Sequence, residues 1–214
     1  MRDSALEITW YGLSCFRISE RARITVVTDP FSDSIGIPVP KLKSEMVTIS
    51  HDVPGHGFVD AVKSDPHVLR GPGEYEIGGV FATGVAMHNP ETGQQNVAYL
   101  FDYDNLTVLH LGDLSHVPQQ SDVEALGQVN VLLVPVGGGN SLRAEQAAEV
   151  VALIEPYFVV PMHYEQPGVN IALDSVEKFL KAMGVSKPQE LDTLRVSAAD
   201  TPEQPQVVVL TPQA

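Results

Sequence analysis

The sequence predicts an α/β fold in which two sheets pack face to face with helices outside, a four-layer αββα sandwich, and three observations predict it. The first half breaks into short segments rich in β-branched and aromatic residues, punctuated by Gly, Pro, Asp and Ser. The second half changes pattern, to apolar runs followed by segments of helical periodicity. No repeat, low-complexity stretch or long linker divides the 214 residues, a length that one core can serve, so residues 1–214 are expected to form one domain.

Taken in order, residues 6–11, 15–18, 24–28 and 47–50 read as strands, with 31–43 an irregular Pro-containing loop and a short helix over 58–63. Residues 80–87, then 97–103 and 106–111 around an Asp104-Asn105 turn, read as a meander with one hairpin. Residues 129–136 are almost wholly apolar, as a strand buried on both faces requires. A helix over 143–154 follows, with Ala147, Val150, Val151 and Ile154 on one face. A strand over 157–162 and a helix over 173–183, stopped by Gly184 as C-cap, lead to closing strands at 194–197 and 207–210.

Composition narrows the function. A hydrophobic share of 43% with 19% charged residues is that of a chain able to fold unaided. The net charge of −14 repels a phosphate backbone, which argues against nucleic acid as a partner. One cysteine, Cys15, forms no internal disulfide, and the acidic start lacks the apolar core of a signal peptide, so a cytoplasmic location is expected. No apolar run approaches the ~20 residues of a membrane-spanning helix, so no membrane partner is expected either.

Several expected strands stop at a residue able to bind metal: 47–50 at His51, 80–87 at His88, 106–112 at Asp113 and 157–162 at His163. Each histidine alone reads more readily as a satisfied polar residue at a strand edge. Four such endings together describe imidazoles and a carboxylate converging on one cleft, the donor set of Zn²⁺ and similar ions. His110 alternates with Leu109 and Leu111 and is read as structural, Glu74 and Glu76 as solvated turn residues, and Cys15 as a small core residue. His67 is assigned no role. Gly137-Gly-Gly139 lacks the spacing of either common phosphate-binding loop and reads as a close-packed turn lining the cleft.

Six segments, in order, resemble the metallo-β-lactamase superfamily: the stretch 8–18, Thr28-Asp-Pro-Phe31, Ser50-His-Asp-Val-Pro-Gly-His56, Gly73-Glu-Tyr-Glu-Ile77, His110-Leu-Gly-Asp-Leu-Ser-His116 and Pro161-Met-His-Tyr164. They are most similar to its small branch of metal-dependent hydrolases related to ascorbate-phosphate lactonases. The resemblance implies the αββα fold and a one- or two-metal cleft. It implies His51, His56, His88, Asp113 and His163 as metal ligands, with Asp113 the shared and catalytic carboxylate; His116, which flanks Asp113 in the sequence, is read as a supporting neighbour of it. The sequence departs from the family's His-x-His-x-Asp-His motif, where Val53 and Gly55 replace a histidine and the aspartate, and Leu13 stands where the branch has a histidine. Asp52 points away from any such site, because adjacent side chains on an extended segment alternate.

The expectation is therefore one bound ion or none: zinc first, manganese or iron as alternatives. The function expected is a hydrolase of a small ester, lactone, amide or phosphodiester. The alternative is a catalytically inactive module of the same fold that binds a ligand or a protein, and a nuclease ranks last because of the acidic balance.

Overall fold

Alternation decides which side chains of the first strand turn inward: in β1 (Leu6–Gly12), Leu6, Ile8 and Trp10 are buried while Glu7, Thr9 and Tyr11 are half-buried. The computed structural model describes residues 5–124 and 126–213. After β1 come β2 (Cys15–Ser19), β3 (Val26–Thr28), β4 (Met46–Thr48), β5 (His67–Leu69), β6 (Gly73–Ile77), β7 (Val80–Ala86), β8 (Val97–Asp102) and β9 (Thr107–His110). The second half adds α1 (Gln120–Glu124), β10 (Val131–Pro135), α2 (Ala144–Ile154), β11 (Phe158–Met162), α3 (Val176–Ala182), β12 (Gln189–Leu191), β13 (Thr193–Val196) and β14 (Gln206–Leu210). No helix among the described residues is long and apolar enough to cross a membrane.

Two sheets result, one of six strands in the order β13-β1-β2-β3-β4-β5 and one of eight in the order β12-β14-β11-β10-β9-β8-β7-β6. A continuous core joins Ile8, Trp10, Phe16, Val26 and Met46 of the smaller sheet to Tyr99, Phe101, Leu133 and Val160 of the larger. The parallel strands β10 and β11 are buried at every position, which is why their sequences are apolar runs rather than alternations. Helix α2 covers them with Ala144, Ala147, Val150, Val151 and Ile154. The Gln146 side chain accepts the Arg143 N–H at 3.1 Å at its start, and Glu155 turns left-handed at its end (φ 51°).

The layers are unequal. Val27 and Val47 point away from the shared core and pack with Leu13, Phe31, Ile35, Leu42 and Val62. Over this face the cover consists of two 3₁₀ turns, Asp33–Ile35 and Val59–Ala61, and loops, with no α-helix among the described residues. The short helix expected over 58–63 is one of these turns. It stops because Val62 is extended and bridges Leu42. Helix α3 starts three residues later than expected, since the Asp174 backbone donates to Gly137 O (2.8 Å) and accepts from Glu165 N (2.9 Å). Gly184, at φ 69°, ends it as expected.

Candidate metal centre

The site lies where parallel strands of both sheets end. Asp29 follows β3, Ser50 and His51 follow β4, Asp113 follows β9 and His163 follows β11. Gly112 (φ 62°) lets these ends meet: a Cβ there would lie 2.3 Å from Ser50 Cβ and 2.6 Å from Asn96 Oδ1.

Asp29 is fully buried and accepts three hydrogen bonds. Ser50 N–H donates to Oδ1 at 2.8 Å, and Ser50 Oγ–H (2.5 Å) and His56 Nδ1–H (2.9 Å) donate to Oδ2. Burial alone would raise its pKa, but the His56 charge and these bonds outweigh that and hold it below the usual carboxylate value. Burial likewise opposes the charge on His56, and Asp29 reverses the balance, lifting the His56 pKa above that of free imidazole. With Nδ1 bonded to Asp29, His56 has Nε2 available for a ligand.

His163 sits at φ 52°, its N–H bonded to Leu13 O (3.0 Å) and its carbonyl to Gly137 N (3.0 Å). Burial, and then the neighbouring His56 charge, push its pKa down to about 4, so the ring is neutral near pH 7. Ser141 Oγ–H donates to Gly138 O at 2.9 Å, so its oxygen is an acceptor for His163 Nδ1–H, 3.4 Å away. Nε2 of His163 is thereby left with its lone pair. Asp113 Oδ2 accepts from Gln94 Nε2 (3.2 Å) and lies 3.4 Å from His51 Nδ1, while buried Oδ1 has no hydrogen-bond partner. Burial raises the Asp113 pKa, but the His51 bond and the charge of His56 more than offset it and hold the group below the usual carboxylate value.

His56, Asp113 and His163 each offer a ligand atom within 4.8 Å of the others, and all three are buried. Two nitrogens and a carboxylate, with an orphaned buried oxygen on the carboxylate, suit a zinc-type cation. The rings of His56 and His163 lie 5.3 Å apart at 29°.

The remaining expected residues are placed differently. His51 is half-buried and reaches Asp113 but stands outside the group of three. His88 is exposed and makes no contact with the group among the described residues. The reason is a slip in alternation: Val80, Ala82 and Gly84 face inward, but the chain leaves β7 at Ala86 and buries Met87 instead, which turns His88 to solvent. His116 does not touch Asp113; its Nδ1 is buried without a hydrogen-bond partner, and burial lowers its pKa against the pull of Asp122. His110 is structural, donating through Nε2–H to Ser14 O (2.9 Å) and accepting Gly112 N–H (3.2 Å) at Nδ1.

Sequence reasoning passed over Asp29 and Gln94. Asp29 carried the same signal as the residues that were chosen, a ligand-type side chain at the end of a strand. The departures from the family motif face one another: a Cβ on Gly55 would lie 3.7 Å from Leu13 Cδ1 and 4.0 Å from Ile35 Cγ2. Apolar side chains occupy the surroundings of the missing carboxylate.

A family model described as a beta-lactamase superfamily domain matches residues 7–163. The chain belongs to the metallo-β-lactamase superfamily. A UPF0173 protein of Pyrococcus furiosus is 30% identical over 181 residues, 74% of this chain and 83% of that one. A UPF0173 metal-dependent hydrolase of Pyrococcus abyssi is 28% identical over 75% of this chain and 74% of its own. A Thermotoga maritima structure, solved as a candidate Zn-dependent hydrolase of the superfamily, superposes with a TM-score of 0.80 at 33% identity, covering 96% of this chain and 98% of that one. The metallo hydrolase Igni18 of Ignicoccus hospitalis shares the fold, with a TM-score of 0.68 at 18% identity over 90% of this chain and 99% of its own.

Proposed function

We propose that this protein is a metal-dependent hydrolase with a single metal centre held by His56, Asp113 and His163. One observation carries the reading: three buried ligand-type side chains converge within 4.8 Å, and the carboxylate among them keeps a buried oxygen with no partner. Three protein ligands leave a position open, the arrangement of catalytic rather than structural zinc sites. An ion bound there supplies Lewis acidity, making water nucleophilic near neutral pH and polarising a carbonyl or phosphoryl group.

The chain's own residues prepare the site. Asp29 fixes the His56 tautomer, Ser141 accepts the Nδ1 proton of His163, and His51 and Gln94 tie down one oxygen of Asp113. His51, with a side chain 28% exposed, connects Asp113 to the protein surface. Leu13 and Ile35 beside Gly55 favour one ion over two. Zinc, manganese and iron all accept such nitrogen and oxygen donors. The substrate class is a small ester, lactone, amide or phosphodiester, and the net charge of −14 disfavours nucleic acid.

The test is elemental analysis by plasma mass spectrometry after chelator dialysis and reconstitution with zinc, manganese and iron in turn. Near one equivalent, lost in His163→Ala, is the expected result. No bound metal in the wild type under any of these conditions rejects the reading in favour of a ligand-binding module without catalysis, whose binding would be indifferent to chelators.

A further inference from the structure

Three side-chain amides on the segment between β7 and β8 close on the chain around Asp113. Asn89 Oδ1 accepts the N–H groups of Glu91 (2.9 Å) and Thr92 (3.1 Å), shaping the turn, and its Nδ2 donates to Ser115 Oγ at 2.8 Å. Asn96, buried, accepts Asp113 N–H at 2.8 Å and donates to Leu111 O at 2.9 Å. Between these two anchors the half-buried Gln94 reaches the carboxylate itself, donating from Nε2 to Oδ2. An ionised carboxylate only accepts, so the amide must present its nitrogen inward.

We propose that Gln94 is the positioning residue for Asp113: together with His51 it occupies Oδ2 and leaves Oδ1 as the oxygen that meets a cation. The inference deepens the hydrolase reading and rests on it for the identity of the ligand as a metal ion. The segment that was expected to supply His88 as a ligand supplies an amide one step removed from the ion instead. With Oδ2 tied, Asp113 presents one oxygen in one direction. With Oδ2 free, the carboxylate turns about its terminal torsion, which is broad and roughly two-fold. Groups that orient a ligand in this way are worth about 10- to 100-fold in metal affinity.

The test uses the full-length chain and Gln94→Met, which keeps the side chain's length and removes its donor, with Gln94→Ala as a second variant. The exposed Gln95→Ala serves as control. Zn²⁺ affinity is measured by competition with a chromophoric chelator, and Co²⁺ binding by visible absorption, which reports ligand geometry. Affinity about 10- to 100-fold weaker in both Gln94 variants is expected. An altered cobalt spectrum, with Gln95→Ala and the metal-free melting temperatures unchanged, completes the expected result. In metal-free protein, the Gln94 side-chain amide should give an NMR signal protected from solvent exchange that loses its protection in Asp113→Ala. Wild-type affinity and cobalt spectrum in Gln94→Met overturn the proposal, as does an unprotected Gln94 amide. If the wild type binds no metal, the hydrolase reading fails by itself. The amide signal then decides the positioning role, protection that depends on Asp113 upholding it and its absence overturning it.

Discussion

Replacing Asp29 by Asn tests the site at the residue on which His56 depends. Asn adopts left-handed backbone about as readily as Asp, so the φ of 39° at this position is tolerated and the change is confined to the side chain. Three donors now converge on the carboxylate: Ser50 N–H on Oδ1, and Ser50 Oγ–H and His56 Nδ1–H on Oδ2. An amide offers one oxygen and one NH₂ group. The Ser50 N–H cannot reverse its role, so the amide oxygen must stay opposite it and the NH₂ takes the place of Oδ2. The Ser50 hydroxyl can rotate to accept from it, but His56 can accept only by giving up the proton on Nδ1. That moves the proton to Nε2, the nitrogen needed for the ion. Two effects follow. Loss of charge-assisted bonds in a buried place should cost about 1.5–3 kcal/mol in urea unfolding of the metal-free protein. Zinc affinity should fall by at least about 10- to 100-fold, because the wrong tautomer adds to the loss of an orienting partner. Near-UV circular dichroism confirms that the variant is folded. Zinc affinity within about threefold of wild type would refute the reasoning, since no arrangement of the amide both satisfies Ser50 and leaves His56 Nε2 bare.

In chelator-treated protein, His163 should make stability fall with acid. Its folded pKa, about 4, lies below the unfolded value, so the unfolded chain binds the extra proton and stability is lost as pH drops from 6.5 towards 4, by up to about 3 kcal/mol. Urea unfolding of His163→Asn across that window should show a shallower slope, and equal slopes would show that His163 does not titrate this way. Gly137→Ala puts a Cβ 2.2 Å from the His163 carbonyl oxygen, so it should destabilise by about 1–3 kcal/mol and weaken zinc binding together; thermal melts and chelator competition measure both, and a neutral result in either contradicts the packing. Gly55→Asp sets a carboxylate beside Leu13 and Ile35, so the metal-free protein should lose about 1–3 kcal/mol without gaining a second equivalent of zinc, whereas two equivalents by plasma mass spectrometry would show that the apolar wall is no barrier.

The fold was legible where burial is extreme. β10 and β11, buried at every position, left short apolar runs rich in β-branched residues and bounded by turns, and α2 left a helical period with one apolar face. β5 and β12 were not legible, because their three residues are mostly exposed and lack the apolar runs that marked the equally short β3 and β4, and β6 looked like a turn because glycine and two exposed glutamates dominate it. In the site, the rule that strand ends carry chemistry led to Asp113 and His163, which the structure brings together with His56, to His51, which stands beside that group, and to His88, which is exposed because alternation slips by one residue after β7. Gln94 gave no signal at all. Its contact with Asp113 is made by a loop whose shape depends on Asn89 bonding to Ser115, a fact of tertiary structure rather than of local sequence.

The motif departures read differently once their neighbours are known. Taken along the sequence, Val53 and Gly55 are two separate losses from a dense cluster of ligands. In space, Gly55 lies against Leu13, the third departure, with Ile35 completing the wall. A carboxylate at position 55 would be stable there only with a cation and a polar partner beside it, and Leu13 provides neither. A histidine at position 13 without that carboxylate would in turn be a buried polar group facing apolar side chains. Each departure therefore makes the other tolerable, because the volume between positions 13 and 55 is filled by apolar side chains. The three side chains that converge each have a polar partner behind them: Asp29 behind His56, Ser141 behind His163, and Gln94 with His51 on Asp113. Support of that kind around three residues has no purpose in a core that needs only to be packed, because an apolar replacement would fill the same volume without burying Asp29 and Asp113 as charges. That is the arrangement the proposed one-ion centre requires, and the proposal stands or falls on one equivalent of bound metal.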